Sequence, residues 1–419
     1  MSWKAPALFL SLAAAVLALL WLVAGREEEP VPIAHTPMEP VTLAVATDTH
    51  FIAPTLTDNG ESFTRVIANA DGKVMRFSSA LMEAFFAQIE SEHPDALILS
   101  GDLTFNGARE SHEAFAACCA QLQAAGVPVL VLPGNHDLNS LQAARFHGDT
   151  YELVDGLDAE GFRRLYAPFG YDDALSEDEH SLSYVCALRP GLRLLFVDCN
   201  TASEMDTVPA ESFDWIESQL KDAAEAGDRV IAVSHQTVLQ HNSRFAQGFV
   251  ITNRDRLLRL YRKYHVSLSL CGHMHLQHWK QVSGLTEILT GALSVQPCEY
   301  GVLHLSEQGG SYETCPVDVS AWARAQGRTE PELLDFSSYA LAFHRQNTMR
   351  QHPELSEELL RALADLNAAY FAGRLDTVQV TPDQLRGIAK VSTFMANYVE
   401  SLTEELGTDF TRVTFTFQE

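Results

Sequence analysis

Five hydrophobic runs in this chain of 419 residues each end in side chains that bind metals. Val41–Thr47 ends in Asp48-Thr49-His50, and Ala96–Ser100 ends in Gly101-Asp102. Val127–Leu132 ends in Pro133-Gly134-Asn135-His136-Asp137, Val230–Ser234 in His235, and Val266–Cys271 in Gly272-His273-Met274-His275. The ligand candidates are Asp48, His50, Asp102, Asn135, His235, His273 and His275. Carboxylates, imidazoles and an amide oxygen without a thiolate suit Mn, Fe or Zn, in divalent or trivalent form, rather than a cysteine-rich structural zinc. Two cations about 3.5–4 Å apart need a bridging anion, and Asp102 lies centrally in the set. His136 is left free to donate a proton or stabilise a transition state, with Asp137 as its orienting partner.

These groups must be positioned by the elements that precede them. Short Val/Leu/Ile-rich runs without alternation read as strands buried on both faces of a sheet. Functional groups in such sheets gather beyond the carboxyl ends of the strands, so ligands distant in sequence meet along one edge. Glycine before Asp102, Asn135 and His273 lets the backbone approach the ions without a Cβ clash. Helices are expected over Val74–Ser91, Arg109–Ala125, Ala210–Glu225 and Arg254–Tyr264, which gives a layered α/β architecture.

The series D-x-H, G-D, G-N-H-D, H, G-H-x-H resembles the calcineurin-like metallophosphoesterases, with all five blocks present in order across residues 41–305. The resemblance implies a two-sheet sandwich flanked by helices. It also implies Asp48, His50, Asp102 and His275 on one metal, and Asp102, Asn135, His235 and His273 on the other. His136 would be the catalytic histidine, acting as acid while a metal-bound hydroxide attacks phosphorus. The longer strings Gly101–Gly107 and Gly272–His278 are similar to the class III cyclic-nucleotide phosphodiesterases. The expected activity is hydrolysis of small phosphodiesters, cyclic nucleotides first. A phosphomonoesterase or nucleotide pyrophosphatase is the alternative, and a non-catalytic binding module the competing class. Gln236 departs from the second histidine that relatives often carry there. His112, His241 and His278 are further candidates for substrate contact, and Asp198 reads as a turn or supporting residue.

The formal net charge of −26 opposes attraction to nucleic-acid polymers and favours a small diffusible phosphoester. Seven cysteines without a C-x-x-C spacing read mostly as buried thiols, with a disulfide among Cys186, Cys199, Cys298 and Cys315 left open. Ala5–Ala24 is uncharged and long enough to cross a bilayer, so residues 1–26 are expected as a signal anchor, or alternatively a cleaved signal peptide. That predicts a single-pass membrane protein with an extracytoplasmic catalytic domain, or a secreted one. Residues 27–40 read as a proline-rich linker, 41–317 as the catalytic domain and 318–419 as a smaller helical domain. In the last, helical spacing covers Glu330–Arg345, Pro353–Phe371 and Pro382–Leu406, before a strand at Arg412–Phe417. That domain reads either as a packing appendage or as a lid over the substrate. The acidic segment Gly148–Asp178 is expected at the cleft rim, and the oligomeric state is left open.

Overall fold

The computed structural model describes residues 29–201 and 204–418. Strands Ala96–Ser100 and Val129–Leu132 are buried at every position, as runs without polar alternation require when both faces of the sheet are covered. They lie parallel to each other and to Val41–Ala46, with Leu43 beside Ala96 and Leu97 beside Val129. This first sheet runs in spatial order Arg412–Thr416, Gly309–Pro316, Glu299–Ser306, Val41–Ala46, Ala96–Ser100 and Val129–Leu132. A second, seven-stranded sheet has the parallel strands Leu192–Val197, Arg229–Ser234 and Leu268–Cys271 at its centre. Apolar side chains of both sheets share one core, and helices cover the outer faces. The Ser212–Ala226 helix shows why: Phe213, Ile216, Leu220 and Ala223 form a buried stripe at helical spacing.

The C-terminal helices follow local capping signals. Ser356 accepts a hydrogen bond from Leu359 N, and Thr381 forms a reciprocal capping box with Gln384. The single helix expected over Pro382–Leu406 is two, Pro382–Ala389 and Thr393–Thr403. The break arises because Ser392 caps a new start, accepting from Met395 N. Leu363, Leu366 and Tyr370 pack in one apolar cluster with Cys271, Met274 and Leu289 of the catalytic region. Strand Arg412–Thr416 then joins the edge of the first sheet. A buried polar chain adds to this junction: Glu287 contacts His241 Nε2 at 3.1 Å, His241 and His278 face each other through Nδ1 at 2.9 Å, and His278 Nε2 lies 3.3 Å from Glu405.

The transmembrane expectation is corrected. Among the described residues no helix is long and apolar enough to cross a membrane. The longest, Arg109–Ala124 and Phe336–Gln351, have 16 residues and carry charge, whereas a span needs about 20 apolar residues. Ala5–Ala24 lies outside the described residues. The architecture is thus an α/β sandwich with flanking helices and a helical C-terminal region. The membrane contact, the single-pass topology and the extracytoplasmic or secreted placement have no support in it. The described part of the expected linker, residues 29–40, carries no helix or strand but is pinned to the fold: Val31 N donates to Lys263 O at 2.9 Å and Thr36 N to Gly227 O at 2.8 Å. All seven cysteines are free thiols. Gly148–Asp178 forms part of a small hairpin and a short helix rather than the cleft lining.

Two buried histidines make the fold sensitive to acid. His112 holds the Tyr166 hydroxyl at 3.0 Å and the Asp137 carbonyl at 3.0 Å, and burial pushes it from 6.5 down to about 4. His344 has no hydrogen-bond partner at either ring nitrogen, and burial likewise lowers it to about 4. As pH falls below 6.5 the unfolded chain takes up these protons first, so stability is full above that value and drains away towards 4. Each group is worth at most about 3 kcal/mol. Denaturant midpoints measured in chelator should fall between pH 7.5 and 4.5, and less so in His344→Leu. A midpoint flat across that range would refute the account.

Candidate metal centre

The carboxyl ends of the parallel strands in both sheets converge on one spot, and the ligand candidates meet there. Asp48, His50, Asp102 and His275 form one group, and Asp102, His235 and His273 a second, each with its ligand atoms within 4.8 Å of one another. Asp102 belongs to both. Its Oδ1 lies 3.4 Å from His235 Nε2, and its Oδ2 lies 3.8 Å from His50 Nε2. The Asn135 side-chain oxygen completes the second group, 3.1 Å from His235 Nε2 and 2.8 Å from His273 Nδ1.

The two imidazoles of the second group are each held by their other nitrogen. His235 Nδ1 meets the Ser100 carbonyl at 2.9 Å, and His273 Nε2 meets the Gly248 carbonyl at 2.7 Å. With a metal bound, these contacts would keep the N–H on the outer side of each ring and leave a lone pair facing inward. The Ser100 contact also ties the second sheet to the first.

Backbone strain gathers at the same place. Asp48, His50, Asp102, His273 and His275 all have left-handed φ, at 51°, 43°, 49°, 72° and 59°. Such conformations cost about 1–3 kcal/mol each in non-glycine residues and persist where surrounding structure enforces them. Glycines make room beside them. A Cβ on Gly134 would stand 2.2 Å from Asp102 Oδ1, and one on Gly101, at φ 103°, would stand 2.4 Å from His235 Nδ1.

The donor set fits a pair of cations. Asp48 Oδ1 is buried without a hydrogen bond, while Oδ2 accepts from Thr47 Oγ1 and His273 N. Two imidazole nitrogens, His50 Nε2 and His275 Nε2, face each other at 3.2 Å beside it. Burial works to raise Asp48, but His275 and then His235 outweigh it and hold the carboxyl below its ordinary range. Burial likewise opposes the charge on Asp102, yet His235 and His136 keep it well below that range. Burial also opposes charge on His235, but Asp102 overrides it and pushes that imidazole up to about 10. Two buried anions in a dry socket call for positive charge.

His136 stands beside this set. Its side chain is 38% exposed, with Nε2 4.0 Å from Asp102 Oδ2. Asp137 is not placed against that ring. Its carboxylate accepts from the backbone N–H groups of Leu103, Thr104 and Gly134 at 3.0, 2.9 and 2.9 Å, bracing the loops that carry Asp102 and Asn135. Gln236 is buried between Asn200 and Asp206, at 2.7 Å from an oxygen of each, and Asp198 accepts from Leu182 N and Asn200 N. His112, His241 and His278 are buried and do not line the cavity over the centre. Two residues near the centre carried no strand-end signal. Asp71 Oδ2 lies 4.0 Å from His275 Nδ1 and 4.0 Å from the buried Lys73 ammonium.

Residues 41–277, over half of the chain, match the family model described as calcineurin-like phosphoesterase. The chain belongs to this family. Its two ligand groups, which share Asp102, fit a dinuclear divalent-metal centre of the kind a metal-dependent phosphoesterase uses. A probable cyclic nucleotide phosphodiesterase of Moraxella catarrhalis is 24% identical over 197 residues, 46% of this chain and 63% of that protein. This chain therefore spans less than two thirds of that relative. A probable glycerophosphodiester phosphodiesterase, GpdQ, of Arcobacter nitrofigilis is 26% identical over 247 residues, 56% of this chain and 76% of that protein. Among solved structures, a dimetal phosphatase from Danio rerio is similar at 15% identity and a TM-score of 0.48, over 66% of this chain and 97% of that one.

Proposed function

We propose that this calcineurin-like phosphoesterase cleaves small phosphodiesters, with cyclic nucleotides as the first candidates. One observation carries the reading. The cavity that holds Asp102, Asn135, His136, His273 and His275 continues past them to Leu276, Phe371 and Tyr398, which leaves room for a second ester group beside the phosphoryl group. A monoester needs no such extension. Both relatives named above are described as phosphodiesterases, which supports the same choice.

In this reading Asp48, His50, Asp102 and His275 hold one metal, and Asp102, Asn135, His235 and His273 hold the other. When bound, the two cations supply Lewis acidity towards the phosphoryl oxygens and acidify the attacking water. The residues of the chain do the rest. Asp102 spans both positions, and the Ser100 and Gly248 carbonyls keep two imidazoles aimed inward. His136 borders the cavity and gives its proton to the departing ester oxygen. Asp137 holds the loops of Asp102 and Asn135 in register.

The test is a substrate panel. The Mn²⁺-loaded protein should turn over bis-p-nitrophenyl phosphate faster than p-nitrophenyl phosphate, and should open 3′,5′-cyclic AMP. A preference for the monoester would replace this reading with a phosphatase.

A further inference from the structure

The cavity over the metal centre, about 430 Å³, has two unlike ends. One is the polar floor described above. The other is walled by Phe245 and Phe249, from the loop after strand Arg229–Ser234, and by Tyr370, Phe394, Met395 and Tyr398 from the C-terminal helices. The hydroxyls of the two tyrosines are already engaged, while Gln351 and His352 also line the cavity. The Tyr370 hydroxyl accepts from Asn242 Nδ2 at 2.9 Å, and the Tyr398 hydroxyl donates to Asn367 Oδ1 at 2.8 Å. Asn367 Nδ2 in turn donates to Thr348 Oγ1 at 3.4 Å. What faces the cavity from these residues is therefore chiefly ring surface.

The rings are arranged as a wall. Phe394 and Tyr398, four residues apart on one helix, are parallel to within 3° with centroids 6.2 Å apart. Phe245 lies 6.5 Å from Phe394 and 6.3 Å from Tyr398. Phe394 is 60% exposed, and together with Phe245 and Tyr398 it forms a contiguous apolar patch at the cavity rather than an isolated surface ring. A polyol alcohol placed against these rings would lose water without gaining partners from them, which is unfavourable. A flat ring would gain offset or edge contacts with three aromatic neighbours.

We infer that this wall is the binding site for an aromatic ester group of the substrate, either a simple aryl ring or a nucleobase, and that Phe394 is a specificity-determining residue. The inference rests on the phosphodiester reading and narrows it. It also gives the C-terminal helices a role in the site, since they supply most of the wall. A glycerol-type diester would reach the metals but leave the wall uncovered.

The test uses inert ligands on the full-length, Mn²⁺-loaded protein, so that it does not depend on turnover. Calorimetry should show phenylphosphonate binding at least about tenfold tighter than methylphosphonate, the scale of a few aromatic contacts. Phe394→Ala should cut that ratio by about three- to tenfold and leave methylphosphonate unchanged, while Phe394→Tyr keeps the ratio. Phe394 is exposed enough that the alanine variant should fold, which thermal melting would verify. Adenosine 5′-monophosphate set against ribose 5-phosphate separates the two sources. A preference for the nucleotide that weakens in Phe394→Ala assigns a nucleobase, and its absence assigns a simple aryl group. Equal binding of the two phosphonates, or a ratio unmoved by Phe394→Ala, overturns the inference. An intact ratio in a protein that fails to cleave bis-p-nitrophenyl phosphate would defeat the diester reading alone.

Discussion

Asp102→Ala is expected to strip the centre of metal and bring turnover down with it. Among the described residues this carboxylate alone belongs to both ligand groups, and it is buried. Removing it takes away the main anion that raises His235 and leaves the two ligand groups without a shared carboxylate. The loss should be on the order of 10⁴ in rate, because each cation contributes several kcal/mol of charge stabilisation to the transition state. Elemental analysis of the dialysed protein should fall from near two metals per chain to below one. Circular dichroism should stay close to that of the parent, since Asp102 sits beyond the end of its strand rather than in the core. A variant that keeps its full metal complement would remove Asp102 as the bridge. An Asp102→Asn variant sharpens the point. It preserves shape but not charge, and should bind metal nearly as poorly.

Much of this centre could be read from the chain, for a physical reason. Strands covered on both faces cannot alternate, so they stand out as apolar runs, and the first polar residue after each run lies at the sheet edge. That placed Asp48, His50, Asp102, Asn135, His235, His273 and His275 together, and the structure brings them within reach of one another. Glycine before Asp102 and Asn135 was equally legible, since a side chain there would collide with a ligand.

What escaped the sequence lies in loops and at tertiary junctions. Asp71 and Lys73 follow no apolar run, and only packing brings them to His275 and to each other. Asp137 adjoins His136 in the chain, which suggested a direct partnership, but its carboxylate turns to the backbone of a neighbouring loop instead. The aromatic wall combines residues about 150 apart in sequence, and Phe394 with Tyr398 reads as no more than an i, i+4 pair. Hydrophobic spacing continues across the break in the last long helix and hides it, although Ser392 supplies a new cap. Ala5–Ala24 lies outside the described residues, and no helix among those described is long and apolar enough to cross a membrane.

His136→Ala is expected to separate chemistry from metal binding. Its ring belongs to neither ligand group, so both cations should stay in place. The backbone also favours this outcome. His136 N donates to Asp102 Oδ1 at 2.8 Å, a hydrogen bond that alanine retains. Loss of a positioned acid costs about 10²–10⁴ in rate. The size of the loss should depend on the leaving group. A nitrophenolate departs readily without a proton, whereas the ribose oxygen released from cyclic AMP needs one. Turnover of cyclic AMP should therefore fall much further than turnover of bis-p-nitrophenyl phosphate. Equal losses on the two substrates would mean that His136 binds the phosphoryl group or orders the site rather than protonating the departing oxygen. Unchanged turnover on both would leave it no part in the chemistry.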